Sequence, residues 1–83
     1  MRVLLVGTGG VGESIAVVAQ KAPWLQRMVL TDINPRRCRE VRARLKDPKK
    51  FPVEAIDAGN KAQIVELAKK HKVDLIMNAV EPL

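Results

Sequence analysis

Four glycines, Gly7, Gly9, Gly10 and Gly12, stand directly behind the apolar run Val3 to Val6 and directly ahead of an apolar-periodic stretch. The spacing Gly7-x-Gly9-x-x-Gly12, placed between a strand and a helix, suits the capture of a diphosphate. Gly7 would allow the tight turn. Gly9 would let the backbone approach phosphate oxygens with no Cβ in the way, Gly12 would let helix and strand pack closely, and Gly10 adds clearance. The phosphates would rest against the amides at the start of the helix, where the dipole favours negative charge. A turn without a ligand does not need so many glycines in so few positions. The stretch therefore predicts a dinucleotide-binding loop.

Asp32 follows Gly12 by 20 residues and closes the next apolar run. A carboxylate there accepts hydrogen bonds from the adenosine ribose hydroxyls; as a bland alternative it is a solvated turn acid near a helix start. Arg36 and Arg37 lie just beyond it, and guanidinium groups in that place can clamp a 2′-phosphate. Asp32 would repel that phosphate at close range while exposed arginines are screened, so the sequence favours NAD as cofactor, with NADP as the alternative. Asp57 closes a third apolar run, where it either reaches an adenine amino group or only shapes the following turn. Asn78-Ala79-Val80 closes a fourth run beside the glycine loop, the place for backbone contacts to the pyrophosphate or the nicotinamide ribose.

The elements that must position these residues alternate. Val3 to Val6 reads as a strand buried on both faces, followed by a helix whose stripe is Val11, Ile15, Val18, Ala19 and Ala22, closed by Pro23. Met28 to Thr31 is a second strand. Asn34-Pro35 is an N-cap with proline at the first helical position, and Cys38, Val41 and Leu45 form the buried stripe of the next helix. Val53 to Ile56 is a third strand, and Asn60 with Gln63 resembles a capping box for a helix carrying Ile64, Leu67 and Ala68. Val73 to Met77 is a fourth buried strand. The order β-α-β-α-β-α-β with short connections predicts an α/β fold: a Rossmann-type doubly wound parallel sheet of four strands in order 3-2-1-4, with three helices on its faces.

Composition narrows the class further. The chain has 83 residues, 47% hydrophobic and 29% charged, which describes one globular domain with no volume for a second lobe. Apolar runs are strand-length and no signal-peptide pattern opens the chain, so a cytoplasmic protein with no membrane partner is expected. One cysteine, Cys38, fits a reducing compartment, and with one histidine, His71, it assembles no metal site; none is assigned. The formal charge of +6 is concentrated between Asn34 and Lys50, where eight basic residues meet only Glu40 and Asp47. Such a patch attracts phosphate groups. Trp24 and Phe51 are the only aromatics and no nucleic-acid motif is present, so no nucleic-acid partner is expected. Arg39, Arg42 and Arg44 read as a solvated helix face, Cys38 as a small core residue, His71 as a solvated helix end, and Trp24 as a loop residue over the core edge.

With these residues placed, the chain resembles the N-terminal domain of the saccharopine dehydrogenase family, which includes saccharopine reductases, lysine dehydrogenase-like proteins and carboxynorspermidine synthase. The similar stretches are "VLLVGTGGVG" (3 to 12), "VLTDINPRRC" (29 to 38), "VEAIDAGNKAQIVELAKK" (53 to 70) and "VDLIMNAVEPL" (73 to 83). The resemblance implies an NAD(P)-linked oxidoreductase acting on carbon–nitrogen bonds of amino acids through an imine. By position it puts Gly7, Gly9, Gly10, Val11 and Gly12 at the pyrophosphate, Asp32 and Ile33 at the adenosine, Asp57 and Ala58 at the adenine, and Asn78, Ala79 and Val80 on the nicotinamide side. Glu81 departs from the family's usual small residue or proline.

On this reading, residues 1–83 are the N-terminal part of an NAD(P)-binding domain. The remaining strands and the domain for a small amino-acid substrate are expected elsewhere, no catalytic residue is named, and the chain by itself is expected to be inactive. The competing class is a nucleotide-sensing regulatory module that does no chemistry. The fourth strand, apolar on both faces at a sheet edge, predicts self-association into a homodimer or else a monomer of marginal stability.

Overall fold

A computed structural model of the chain describes residues 1–80. Glu81, with its departure from the family pattern, lies outside the described residues. The elements follow in the expected alternation: β1 (Arg2–Val6), α1 (Gly10–Ala19), β2 (Arg27–Asp32), α2 (Pro35–Arg42), a single 3₁₀ turn (Pro48–Lys50), β3 (Val53–Ala55), α3 (Lys61–Lys70) and β4 (Leu75–Asn78). All strand pairs are parallel and the sheet order is β3-β2-β1-β4. This is the α/β Rossmann-type arrangement, four strands in order 3-2-1-4 with three helices. β1 lies at its centre, in register with β2 from Arg2 opposite Arg27 and with β4 from Val3 opposite Leu75.

Strand alternation divides the core into two layers. Val3, Leu5, Met28 and Leu30 turn to the face covered by α1 and α2, where they meet Ala16, Ala19, Cys38, Val41 and Phe51. Leu4, Val6, Val29 and Ile56 turn to the opposite face, against Ile64, Leu67 and Ala68 of α3. A parallel strand covered by helices on both faces reads as a continuous apolar run, and β1 and β2 have that form.

Helix starts follow local chemistry. The Asn34 side chain accepts from the Arg36 amide at 3.1 Å, with Pro35 at the first helical position of α2. The Asn60 side chain accepts from the Gln63 amide at 3.1 Å. The expected capping box is half made, because Gln63 Oε1 accepts from the Asp57 amide instead of returning to Asn60. The Asn60 amide bonds the Asp57 carbonyl in the turn that precedes the helix.

Two expectations about burial are corrected. In α1, Gly12, Ala16 and Ala19 are buried, whereas Val11 and Val18 are exposed. Small residues at that spacing let the helix settle close on the sheet. Glu13 pairs with Arg44 and Gln20 Oε1 accepts from the Lys46 amide, so this flank turns toward the end of α2. Val11 and Val18, each two positions earlier, point roughly the other way around the helix. In the fourth strand, Leu75 and Ile76 are 43% and 47% exposed, so it is not a buried strand. The reason is its edge position: β1 pairs with it on one side only. The apolar pattern also misplaced strand limits by one or two residues, the fourth running Leu75–Asn78 and the third ending at Ala55.

Candidate dinucleotide site

The carboxyl ends of all four strands open into one cleft of about 280 Å³. Its lining comes from the end of β1 and its loop (Val6, Gly7, Gly9), the end of β2 and the start of α2 (Thr31, Asp32, Ile33, Arg37), the turn after β3 (Ile56, Asp57, Ala58) and the segment after β4 (Ala79, Val80). In an open parallel sheet this crevice, outside the carboxyl ends and next to the first strand, is where ligands bind.

The glycines do different jobs. Gly7 has φ of +91°, a conformation side chains rarely adopt, and a Cβ there would meet the Val80 backbone amide at 3.1 Å. It gives the tight turn and lets the β4 terminus close against the loop. A Cβ on Gly12 would stand 2.2 Å from the Gly7 carbonyl oxygen, so α1 can begin this close to the loop only with glycine there. Gly9 caps α1 in extended conformation with no side chain over the helix start, and its backbone lines the cleft. Gly10 and Val11 form the exposed first turn of α1 outside the lining.

Both carboxylate oxygens of Asp32 are held by backbone amides. Its Oδ2 accepts from the Thr8 amide at 3.1 Å and its Oδ1 from the Asn34 amide at 3.0 Å. The Asp57 carboxylate accepts from the Gly59 amide at 2.9 Å through Oδ1. Beside Asp32, Ile33 is 75% exposed and offers an apolar surface at the rim. Arg37 lines this cleft and also a shallower, polar one formed with Asn34, Arg36 and Glu40. Within that second cleft Arg36 pairs with Glu40 at 3.4 Å, both largely exposed.

Of the residues anticipated for a cofactor, Gly7, Gly9, Asp32, Ile33, Asp57, Ala58, Ala79 and Val80 share the cleft. Gly12 supports it from beneath, and Gly10, Val11 and Asn78 are set apart from its lining. Asn78 instead turns its Oδ1 to accept from the Val80 amide at 3.0 Å, shaping the segment that crosses Gly7. Sequence reasoning missed Thr8 and Thr31, both buried. Thr8 Oγ1 donates to the Thr31 carbonyl at 2.8 Å, and Thr31 Oγ1 donates to the Leu5 carbonyl at 2.7 Å. The available signal was a polar β-branched residue between two glycines, which neither the turn nor the phosphates require.

Outside the cleft, His71 is a correction. It is a buried group rather than a solvated helix end, with Nε2 2.8 Å from Glu54 Oε2, and Lys70 Nζ is 2.8 Å from the same oxygen. The Lys70 hydrogen bond holds the Glu54 carboxyl below its ordinary range, against partial burial and with help from His71. Burial pushes the Cys38 thiol up, as suits a core cysteine. Trp24 belongs to the loop before β2 but is 53% exposed; Leu25 is the residue that enters the core.

Among the described residues no group of His, Cys, Asp and Glu could hold a metal, and no helix is long and apolar enough to cross a membrane. None of the curated proteins compared with the chain matches it. A family model does: residues 3–83 match the saccharopine dehydrogenase NADP binding domain. The match takes in the glycine loop, the end of β2, the turn after β3 and the segment after β4, and it supports a nicotinamide dinucleotide as cofactor. It shifts the cofactor expectation from NAD toward NADP. The chain belongs to the saccharopine dehydrogenase NADP-binding domain family.

Proposed function

We propose that this chain is the cofactor-holding module of an oxidoreductase acting on carbon–nitrogen bonds of amino acids, and that it takes NADP(H) in preference to NAD(H). One observation carries the reading: Asp32 and Arg37 stand in the same cleft as the glycine loop, at the carboxyl ends of the strands. The residues suit the group. Backbone at Gly7 and Gly9 and the start of α1 favour a diphosphate, and Asp32 and Asp57 supply acceptors for ribose hydroxyls and an adenine amino group. Ile33, Ile56 and Val80 supply apolar surface for rings.

The sequence balance between Asp32 and the arginines changes when the bonds of Asp32 are counted. Two backbone amides donate to its carboxylate, which offsets part of the charge a 2′-phosphate would meet. Arg37, on the same wall, supplies the compensating cation and a planar fork suited to phosphate. When bound, the cofactor supplies hydride chemistry. The chain's own residues hold and orient it, with Ala79 and Val80 on the nicotinamide side of the loop.

Titration calorimetry of the chain with NADP⁺ and NAD⁺ tests this. NADP⁺ should bind more tightly, and Arg37→Ala should lower its affinity about tenfold, or ~1.4 kcal/mol, with less than about a twofold change for NAD⁺. Equal affinities in the parent chain would remove the NADP preference, and no binding of either at millimolar concentration would remove the dinucleotide site itself.

A further inference from the structure

Thr8 is a buried polar side chain in the glycine loop, and nothing in the capture of a diphosphate calls for it. Its bonds all run to the end of β2 or to α2. The hydroxyl donates to the Thr31 carbonyl at 2.8 Å and accepts from the Cys38 thiol at 3.5 Å. The Thr31 carbonyl also accepts from the Gly7 amide at 3.0 Å, so successive loop residues grip one oxygen of β2. Thr31 in turn is tied through its own hydroxyl to the Leu5 carbonyl of β1. With its side chain held this way, the Thr8 amide is aimed at Asp32 Oδ2 at 3.1 Å. The second carboxylate oxygen is held from the other side by Asn34, the cap residue of α2.

We propose that Thr8 is a positioning residue that sets cofactor selectivity through Asp32. This rests on the reading of the cleft as an NADP(H) site. The physical argument is one of orientation. A carboxylate on a strand end turns readily about its terminal torsion. Held by two amides, it keeps a single orientation toward the ribose and its charge is partly compensated. Without the Thr8 hydroxyl, the loop keeps the Gly7 bond to the Thr31 carbonyl but loses the one that fixes residue 8, and the amide loses its aim. Asp32 then turns with less compensation beside the 2′ position, so NADP suffers more than NAD.

The test needs a readout that a general loss of structure would not imitate. In the chain without cofactor, amide hydrogen exchange at Asn34 reports the carboxylate from the side away from the mutation. Thr8→Val, which trades the hydroxyl for a methyl, should lower protection there about fivefold, while Thr8→Ser retains it. Thr8→Ala removes the same hydroxyl with less bulk and carries this arm should the valine variant not fold. Unchanged protection at Asn34 without the hydroxyl overturns the positioning role, whatever the cofactor does.

The second arm is a double-mutant cycle read by calorimetry. Loss of the hydroxyl should shift the ratio of NADP⁺ to NAD⁺ affinity at least about threefold toward NAD⁺, and the shift should vanish in an Asp32→Ala background. Equal weakening of both cofactors, or the same shift without Asp32, overturns the selectivity role. Absence of binding in the parent chain overturns the proposed function and the selectivity role together, while the exchange arm still decides the positioning role.

Discussion

β1 and β4 are neighbours in one sheet, and the stretches that pair, Val-Leu-Leu-Val from residue 3 and Leu-Ile-Met-Asn from residue 75, begin with the same kind of apolar run. Yet Val3 and Leu4 are completely buried, while their register partners on β4, Leu75 and Ile76, are nearly half exposed. The difference comes from what lies beside each strand. β1 has a hydrogen-bonded strand on both sides and helices over both faces; among the described residues β4 pairs with β1 alone, and of its side chains Met77 packs against the core. Their ends are held from different sides. The loop after β1 is packed against Gly12 and bonded to β2, whereas the segment after β4 is tied to β1, where the Ala79 amide donates to the Val6 carbonyl at 2.8 Å, and is shaped locally by the Val80 amide donating to Asn78 Oδ1. Local apolarity selects the strand; position in the sheet sets how much of it the core uses.

Truncating matched side chains on the two strands would break or uphold that contrast most directly. Leu4→Ala should cost about 2–5 kcal/mol, because the side chain is fully enclosed and its removal leaves a cavity. Ile76→Ala, on the register partner of Leu4, should cost under about 1.5 kcal/mol, since much of that side chain already meets water. Urea denaturation at fixed temperature measures both. Similar losses from the two positions would mean that β4 is covered in solution.

The next largest effect belongs to the ends of the strands. Gly12→Ala places a carbon 2.2 Å from the Gly7 carbonyl, a backbone atom that cannot swing aside, so α1 or the loop has to shift. The expected cost is about 1–3 kcal/mol, as for overpacking elsewhere, with loss of dinucleotide binding because the loop moves. A variant with parent-like melting and parent-like cofactor titration would show that the loop is looser than β1 itself.

The same contrast explains what could be read from the sequence. Element order, sheet order and the two core layers were legible because period-2 and period-3.6 patterns report which residues need cover. Glycine spacing and Asp32 were legible because backbone clearance and a strand-end acid leave a local signature. The orientation of α1 was not, because its contact is made by Gly12, Ala16 and Ala19, whose small size admits close approach but gives a weak apolar signal. Thr8 and His71 were missed for a different reason. Each finds its partner, Thr31 or Glu54, more than a dozen positions away, and such pairings exist only after the sheet has formed.

The smallest expected effect concerns β3, the opposite edge, and it sharpens the comparison because this edge is held by charge where β4 carries only apolar side chains and an asparagine. Glu54 on β3 receives Lys70 Nζ and faces His71 Nε2, both at 2.8 Å, linking the strand to the end of α3. Its carboxyl lies below the ordinary value of 4.5, chiefly through the Lys70 hydrogen bond. A carboxyl depressed in the folded chain binds fewer protons there than in the unfolded chain. Its stabilisation is therefore complete above the unfolded value and is lost as pH falls through the folded one. Lys70 is well exposed, so the pair should contribute less than about 1 kcal/mol. Glu54→Gln should accordingly flatten the fall in urea stability between about pH 5 and pH 3, with a small loss at neutral pH. An unchanged acid slope would show that the β3 edge is held by Val53 and Ile56 packing alone. Its difference from β4 would then be one of side-chain cover rather than charge.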